Sequence, residues 1–232
     1  MTKIGSAAFC NCESLKKVVL PDTMGSIGSS AFKNCKNLVL EKIPDGITSI
    51  ESSTFESCSN LSLKELSNDI VSIGANAFAF CNKIKIKNLP ENLTSIGANA
   101  FSNSSITFEK FPESLDSIGS SAFRNAASLK TPRLPNQITK IPEMLFYGCN
   151  GTIEYTIPKQ ITTIGGSSFA YITNLQSVTF EGTPTTIASN AFYGSNKLSI
   201  INCPWSEGEI SGAPWGATKA TINYGYKVGE LN

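Results

Sequence analysis

Nine phenylalanines recur at one period, and no other feature of the chain restricts its fold as much. They are Phe9, Phe32, Phe55, Phe78, Phe101, Phe123, Phe146, Phe169 and Phe192, spaced by 23 residues except for one step of 22 between Phe101 and Phe123. An isoleucine stands five residues before each one: Ile4, Ile27, Ile50, Ile73, Ile96, Ile118, Ile141, Ile164 and Ile187. A fixed period of roughly 20–50 residues marks supersecondary units that stack, because no single unit can bury its apolar face alone. The first unit reads A-F-x-x-C-x-x-L-x-x-V-x-L-P-x-x-M-x-x-I-G. Its L-x-x-V-x-L part alternates as a strand does, and Pro21 ends that strand because proline cannot donate to a ladder. The A-F-x-x-C part predicts one tight helical or 3₁₀ turn. Ser26-Ile27-Gly28 predicts a second short extended piece.

The strand portion has two spacings. Unit one places its apolar residues at Leu15, Val18 and Leu20, and unit eight does the same with Leu175, Val178 and Phe180. Units two to five read Leu38, Leu40, Ile43; Leu61, Leu63, Leu66; Ile84, Ile86, Leu89; and Ile106, Phe108, Phe111. There the middle apolar residue stands one place earlier, and Glu41, Lys64, Lys87 and Glu109 occupy the old site. A one-residue slip turns a side chain to the other face of a strand. Either a bulge keeps Leu40, Leu63, Ile86 and Phe108 in the core, or they form an exposed stripe; the cost of burying four charges favours the bulge. Gly148-Cys149-Asn150-Gly151 makes unit seven irregular and moves its next apolar residue to Ile153. The glycine after the isoleucine gives way to Glu51, Pro142 and Ala188, so a positive φ is not demanded there in every unit.

Five of the seven cysteines (Cys12, Cys35, Cys58, Cys81, Cys149) stand three residues after a repeat phenylalanine. Other units put Ser104, Ala126, Ile172 and Ser195 there. A site open to Cys, Ser, Ala and Ile calls for a small buried group, which free cysteine supplies. With no histidine and only a lone C-x-C at Cys10–Cys12, the spacing does not suggest zinc. A net charge of +1 without a basic cluster does not suit nucleic acid, and no run of 18 apolar residues crosses a bilayer. No secretory leader is legible, and the opening in mid-repeat leads us to expect sequence upstream. Beyond Cys203 the pattern stops. We expect residues 1–203 to form the solenoid and 204–232 a cap, with Trp205 and Trp215 packed inward and Ala220–Tyr224 as a final strand. An exposed Trp205 or Trp215 would instead suit a platform for sugar rings.

The A-F pair, the trailing cysteine and the 23-residue period together resemble the BspA-like leucine-rich repeats of surface or secreted proteins in bacteria and some protists. The resemblance covers residues 4 to about 203. The ending from Pro204-Trp205 to Tyr224 resembles the segment that follows such repeats in proteins of gut-associated bacteria. The resemblance implies a right-handed leucine-rich repeat solenoid with a parallel sheet of one strand per repeat, short 3₁₀ or helical turns, and short second strands on the other side. Strands about 4.8 Å apart would give nine units a length on the order of 40 Å. Curvature would make the sheet a concave binding face. The family is associated with adhesion to host proteins or cells and brings neither catalytic residues nor a cofactor.

The residues themselves point the same way. Without histidine there is no Ser-His or Cys-His pair, no phosphate loop occurs, and Glu207 and Glu209 read as solvated charges in a loop. We therefore expect no enzyme. One outward column on the strands reads Val19, Lys42, Glu65, Asn88, Lys110, Arg133, Thr156, Thr179, Asn202. Of these, Lys42 to Thr179 are the candidate contacts for a protein partner or a glycan at the cell surface or after secretion. Tyr147, Tyr155, Tyr171 and Tyr193 gather late in the chain. Tyr147, Tyr155 and Tyr193 join the candidates, with Tyr147 and Tyr193 expected to be exposed. The other function class is a spacer that displays a further domain of a longer protein.

Overall fold

The computed structural model describes residues 2–227. Its strands are β1 (Lys3–Ile4), β2 (Ser26–Ile27), β3 (Ser49–Ile50), β4 (Ser72–Ile73), β5 (Ser95–Ile96), β6 (Ser117–Ile118), β7 (Lys140–Ile141), β8 (Glu154–Ile157), β9 (Thr163–Ile164), β10 (Ser177–Phe180), β11 (Thr186–Ile187), β12 (Ile200–Asn202) and β13 (Thr221–Asn223). Every pairing is parallel and joins one coil to the next. The chain is thus a parallel-strand solenoid. Two kinds of strand build it: the two-residue pieces ending in the repeat isoleucine, and the longer L-x-x-V-x-L pieces.

No helix occurs among the described residues, and the A-F-x-x-C segment shows why. The residues two before and two after the phenylalanine take left-handed backbone, as Ser30 (φ 57°) and Asn34 (φ 60°) do around Phe32. A helix needs consecutive right-handed residues. The alternation turns every second N–H outward. Ala31, Lys33 and Cys35 close turns onto Gly28, Ser30 and Phe32, whereas Ser30, Phe32 and Asn34 donate to Ser52, Thr54 and Glu56 of the next coil at 2.8–2.9 Å. The helical turn read from the sequence is therefore a run of single turns that bond coil to coil.

Inside this edge the phenylalanine rings stack. Phe32 and Phe55 lie 5.6 Å apart at 1°, and the 22-residue step leaves Phe101 and Phe123 at 5.7 Å and 4°. From Phe32 to Phe192 each of these rings is fully buried, which stabilises by about 1.5–3 kcal/mol per side chain. The cysteine position lies beside the stack: the thiols of Cys35, Cys58, Cys81 and Cys149 donate to the carbonyls of Phe9, Phe32, Phe55 and Phe123, and Ser195 does the same to Phe169. All seven cysteines are free.

The glycine after the isoleucine is demanded by space and not by φ. A Cβ on Gly97 would stand 2.5 Å from the nitrogen of Ala75 in the preceding coil. The isoleucine sheet breaks between β2 and β3 and between β6 and β7, the two places where Glu51 and Pro142 replace glycine. Pro142 has no N–H to give, whereas Ala188, the third replacement, keeps its N–H bonded to the Ile164 carbonyl at 3.0 Å and its sheet unbroken.

The two strand spacings have different outcomes. Leu40, Leu63, Ile86 and Phe108 are buried, so the exposed-stripe alternative fails. In those units two outward residues follow one another, the alternation is lost, and no long strand forms; the one bridge there pairs Lys17 with Val39. Unit one has the L-x-x-V-x-L spacing but no neighbour that shares it, and it forms no long strand; where successive units share it, β8, β10 and β12 form in register, and β13 extends them. Unit seven is one of these, which corrects its reading as irregular. Thr152 takes the leucine place, buried with its hydroxyl 2.8 Å from that of Thr131, while Ile153 is exposed. Trp205 and Trp215 are buried against Phe180, as expected of an inward-packed end, and offer no sugar platform. Residues 228–232 of the expected cap lie outside the described residues.

Phe101→Ala should lower the unfolding free energy by about 3–5 kcal/mol in urea titrations, and Phe9→Ala by less, because Phe9 is only half-buried. A second expectation concerns pH. Burial pushes the thiols of Cys35 up to about 11 and of Cys58 and Cys203 up to about 12. A raised folded pKa stabilises only below the unfolded value, so this contribution declines as pH rises from about 8.5 through the raised values. Urea stability should fall across that window. Cys58→Ser, which keeps a donor as Ser195 does, should flatten the fall. Native thiol labelling should modify Cys10 and Cys12 and spare the five buried cysteines.

Candidate functional site

The outward column begins where the strand alternation is broken. Lys42, Glu65, Asn88 and Lys110 are exposed, each beside a second outward residue in units that form no long strand. Lys42 pairs with Asp22 at 2.9 Å, and that hydrogen bond raises the pKa of its amine. Asn88 and Lys110 line a hollow of about 490 Å³ floored by Phe111 and flanked by Glu91 and Glu113. Lys110 and Arg133 line a second one, of about 240 Å³. Lys42 and Glu65 continue the column without lining either.

From unit seven onward the column lies on a regular sheet. Thr156, Thr179, Asn202 and Asn223 stand in register on β8, β10, β12 and β13. Their side chains bond along the row: Asn202 donates to Thr179 at 3.1 Å and Asn223 to Asn202 at 2.8 Å. This end is neutral and satisfies itself.

Between the charged and neutral stretches Arg133 reaches over two coils to Glu181. Both guanidinium nitrogens donate to the carboxylate at 2.7 Å, the fork geometry that sets arginine apart from lysine. The pair closes one side of a hollow of about 360 Å³ lined also by Thr131, Glu154, Thr156 and Thr179. The hydrogen bond from Arg133 holds the Glu181 carboxyl below its ordinary range. Asn88, Lys110, Arg133, Thr156 and Thr179 thus form one continuous surface, charged at one end and neutral at the other.

Tyr155 does not belong to it, which corrects its inclusion among the candidate contacts. It occupies the inward valine place of β8 and is 5% exposed. Its ring sits 5.9 Å from Phe146 and 5.1 Å from Phe169, and its hydroxyl donates to the Pro132 carbonyl at 3.4 Å. Burial pushes its phenol well up. Of the other two tyrosines, Tyr193 is exposed and Tyr147 half-buried, both on the turn edge and away from the sheet. The sequence reading missed Glu154 and Glu181 as wall residues. Glu181 was legible in the sequence: the strand-ending proline recurs as Pro44, Pro90, Pro112, Pro135, Pro158 and Pro204, and only Ser67 and Glu181 replace it. Among the described residues no group of three or more His, Cys, Asp or Glu side chains is placed to hold a metal ion.

Solved structures with this fold include a leucine-rich cell surface protein from Faecalibacterium prausnitzii, 23% identical over 98% of this chain and 78% of that one, with a TM-score of 0.58. A leucine-rich repeat protein from Bacteroides ovatus is 20% identical over 97% and 64%, with a TM-score of 0.55. The pneumococcal vaccine antigen PcpA is 21% identical over 87% and 60%, also with a TM-score of 0.55. At these identities the likeness shows the fold alone. A comparison with curated proteins gives no match. The model of the BspA type leucine rich repeat region matches residues 2–126 and 101–213, with six copies. With its repeat, its solenoid and a family match over most of its length, the chain belongs to the BspA-type leucine-rich repeat family.

Proposed function

We propose that this chain is a non-catalytic interaction module of a cell-surface or secreted protein, and that it binds a partner protein through the outward sheet column from Asn88 to Thr179. The observation that carries the reading is the Arg133–Glu181 pair. A two-coil reach with both nitrogens engaged presents a preorganised arginine beside adjacent hollows, and arginine is among the residues that dominate protein interfaces. The charged residues on either side, Lys110, Glu113 and Glu154, supply the electrostatic complementarity that selects a partner. Surface placement is supported by the F. prausnitzii protein of the same fold, which is described as a cell surface protein. No helix among the described residues is long and apolar enough to cross a membrane.

The test has two parts. Protease shaving of intact source cells should release peptides of this chain while cytosolic markers stay whole. The purified chain should adhere to host cells or to immobilised host protein, more weakly as salt rises, since charge contacts in solvent are screened over about 8 Å at physiological ionic strength. Arg133→Ala and Lys110→Glu should each weaken adhesion about tenfold or more, the loss of one good interface contact. Adhesion indifferent to both variants would leave the chain as a spacer that displays another domain.

A further inference from the structure

We propose that the outer edge of β13 is a self-association site, through which two copies of this chain join their sheets antiparallel about a two-fold axis at Asn223. The contact lies at the end of the sheet and does not depend on the reading given for the outward column.

The last coil closes on its turn side and stays open on its sheet side. Trp215 stands 23 residues after Phe192, the place of a tenth repeat ring, and accepts the Phe192 N–H at 3.0 Å. There the turn ladder stops, because Trp215 and Ala217 donate to Gly212 and Pro214 of their own coil at 3.0 and 2.9 Å. The sheet has no such stop. Thr221 donates to Ser199 at 2.8 Å and Asn223 accepts from Cys203 at 2.9 Å, so the backbone groups of these two residues face β12. Alternate residues of a strand direct their N–H and C=O to opposite sides. Those of Ile222 therefore face the outer edge, followed by those of Tyr224. Among the described residues nothing returns to cover that edge: Gly225 and Tyr226 donate back to Trp205 and Cys203.

An edge strand is a template for another strand unless a charge, a proline, a bulge or a covering loop blocks it. Thr221-Ile222-Asn223-Tyr224 has no charge and no proline, and β13 pairs with β12 residue for residue, without a bulge. Its inward side chains, Ile222 and Tyr224, pack on the core yet are only half-buried. On the outward face the side-chain bonds run from Asn223 to Asn202 and from Asn202 to Thr179. The row gives its donors toward β10 and, among the described residues, receives none at Asn223.

The occupant is a second copy because the edge complements itself. With the axis at Asn223, each Ile222 exchanges both of its backbone bonds with Tyr224 of the other copy, as opposed residues of a hydrogen-bonded antiparallel pair do. On the inward face each Ile222 then stands against a Tyr224 ring, a β-branched and aromatic pair of the kind that stabilises adjacent strands, and the half-buried apolar surface of both ends is covered. On the outward face the two Asn223 residues stand directly opposite at the closer, non-hydrogen-bonded spacing of about 4.5 Å between Cα atoms. Each amide oxygen there meets the spare amide hydrogen of the other copy. The two four-stranded sheets become one. The contact is isologous, so it closes at two copies and does not grow into a filament. Three strand residues on each side make it a weak contact of the small-interface class.

The experiment is sedimentation equilibrium of the purified chain from about 5 to about 500 μM, the range a weak contact requires. It should show a monomer–dimer equilibrium. Asn223→Lys sets two like charges at the axis, where the strands are closest, and should weaken the dimer about tenfold or more. Its thermal unfolding should stay close to that of the parent chain, because Asn223 is exposed. In a Cys10→Ser, Cys12→Ser background with glutathione disulfide as oxidant, Asn223→Cys should yield a disulfide-linked dimer, since residues opposed at this spacing can be bridged. Thr221→Cys, which the axis sets apart from its counterpart, should not. A chain that stays monomeric over the whole range overturns the proposal and leaves the edge to a strand of another protein. A dimer that Asn223→Lys does not weaken, or a cross-link at Thr221→Cys and not at Asn223→Cys, overturns it as well.

Discussion

The solenoid depends on how one turn directs its backbone hydrogen bonds. Around the repeat phenylalanines from Phe9 to Phe169, left-handed residues at both flanks make alternate N–H groups face the next coil, as Ser30, Phe32 and Asn34 face Ser52, Thr54 and Glu56. This ladder runs along the whole edge, whereas each true sheet is interrupted or confined to a few coils. It also spaces the phenylalanines at 5.3–6.1 Å from first to last. The residue lost in the 22-residue step is absorbed after Phe101, and the ring stack passes over it unchanged.

Because the turns hold the coils, the strands are free to differ. L-x-L-x-x-I keeps three apolar residues inside but sets two outward residues side by side, and the ladder cannot continue. L-x-x-V-x-L keeps alternation and, where successive coils share it, yields β8, β10 and β12; unit one, alone in its spacing, yields none. One core thus supports an irregular charged face in its early coils and a regular neutral one in its late coils. Arg133 stands in the last coil of the first kind and Glu181 two coils on, at the end of β10 in the second kind. The bidentate pair spans the junction between them.

The fold was legible because every inward residue is tied to one period. Counting from the phenylalanine finds the buried cysteines, the isoleucine column and the glycines, and it found Leu40 and its equivalents once the cost of burying charge was weighed. The same count finds Tyr155: it stands nine places after Phe146, the place of Val18 after Phe9 and of Val178 after Phe169. Placing it among the candidate contacts gave residue type precedence over register, and looking for the next apolar residue of unit seven, Ile153, passed over Thr152 for the same reason. The A-F turn was harder, because an i to i−3 closure is common to a 3₁₀ turn and to this alternating backbone. The run of Asn, Ser and Gly two places after the phenylalanine was the available sign of left-handed residues.

Outward residues obey no such period, which is why the candidate sites were less legible than the fold. Arg133 was on the outward column, but its partner is 48 residues away, a separation no local pattern encodes. A departure from the repeat's own rule is more informative than residue type alone. Glu181 stands where most coils put proline, and Tyr171 stands where most put asparagine, serine or glycine. Both positions lie outside the core, so packing does not explain either exchange. Phe80 makes the same exchange in an early coil, at φ 61° and 48% exposed, and Glu181 is held by Arg133 within the chain, so a departure from the repeat is read together with the partner the fold gives it.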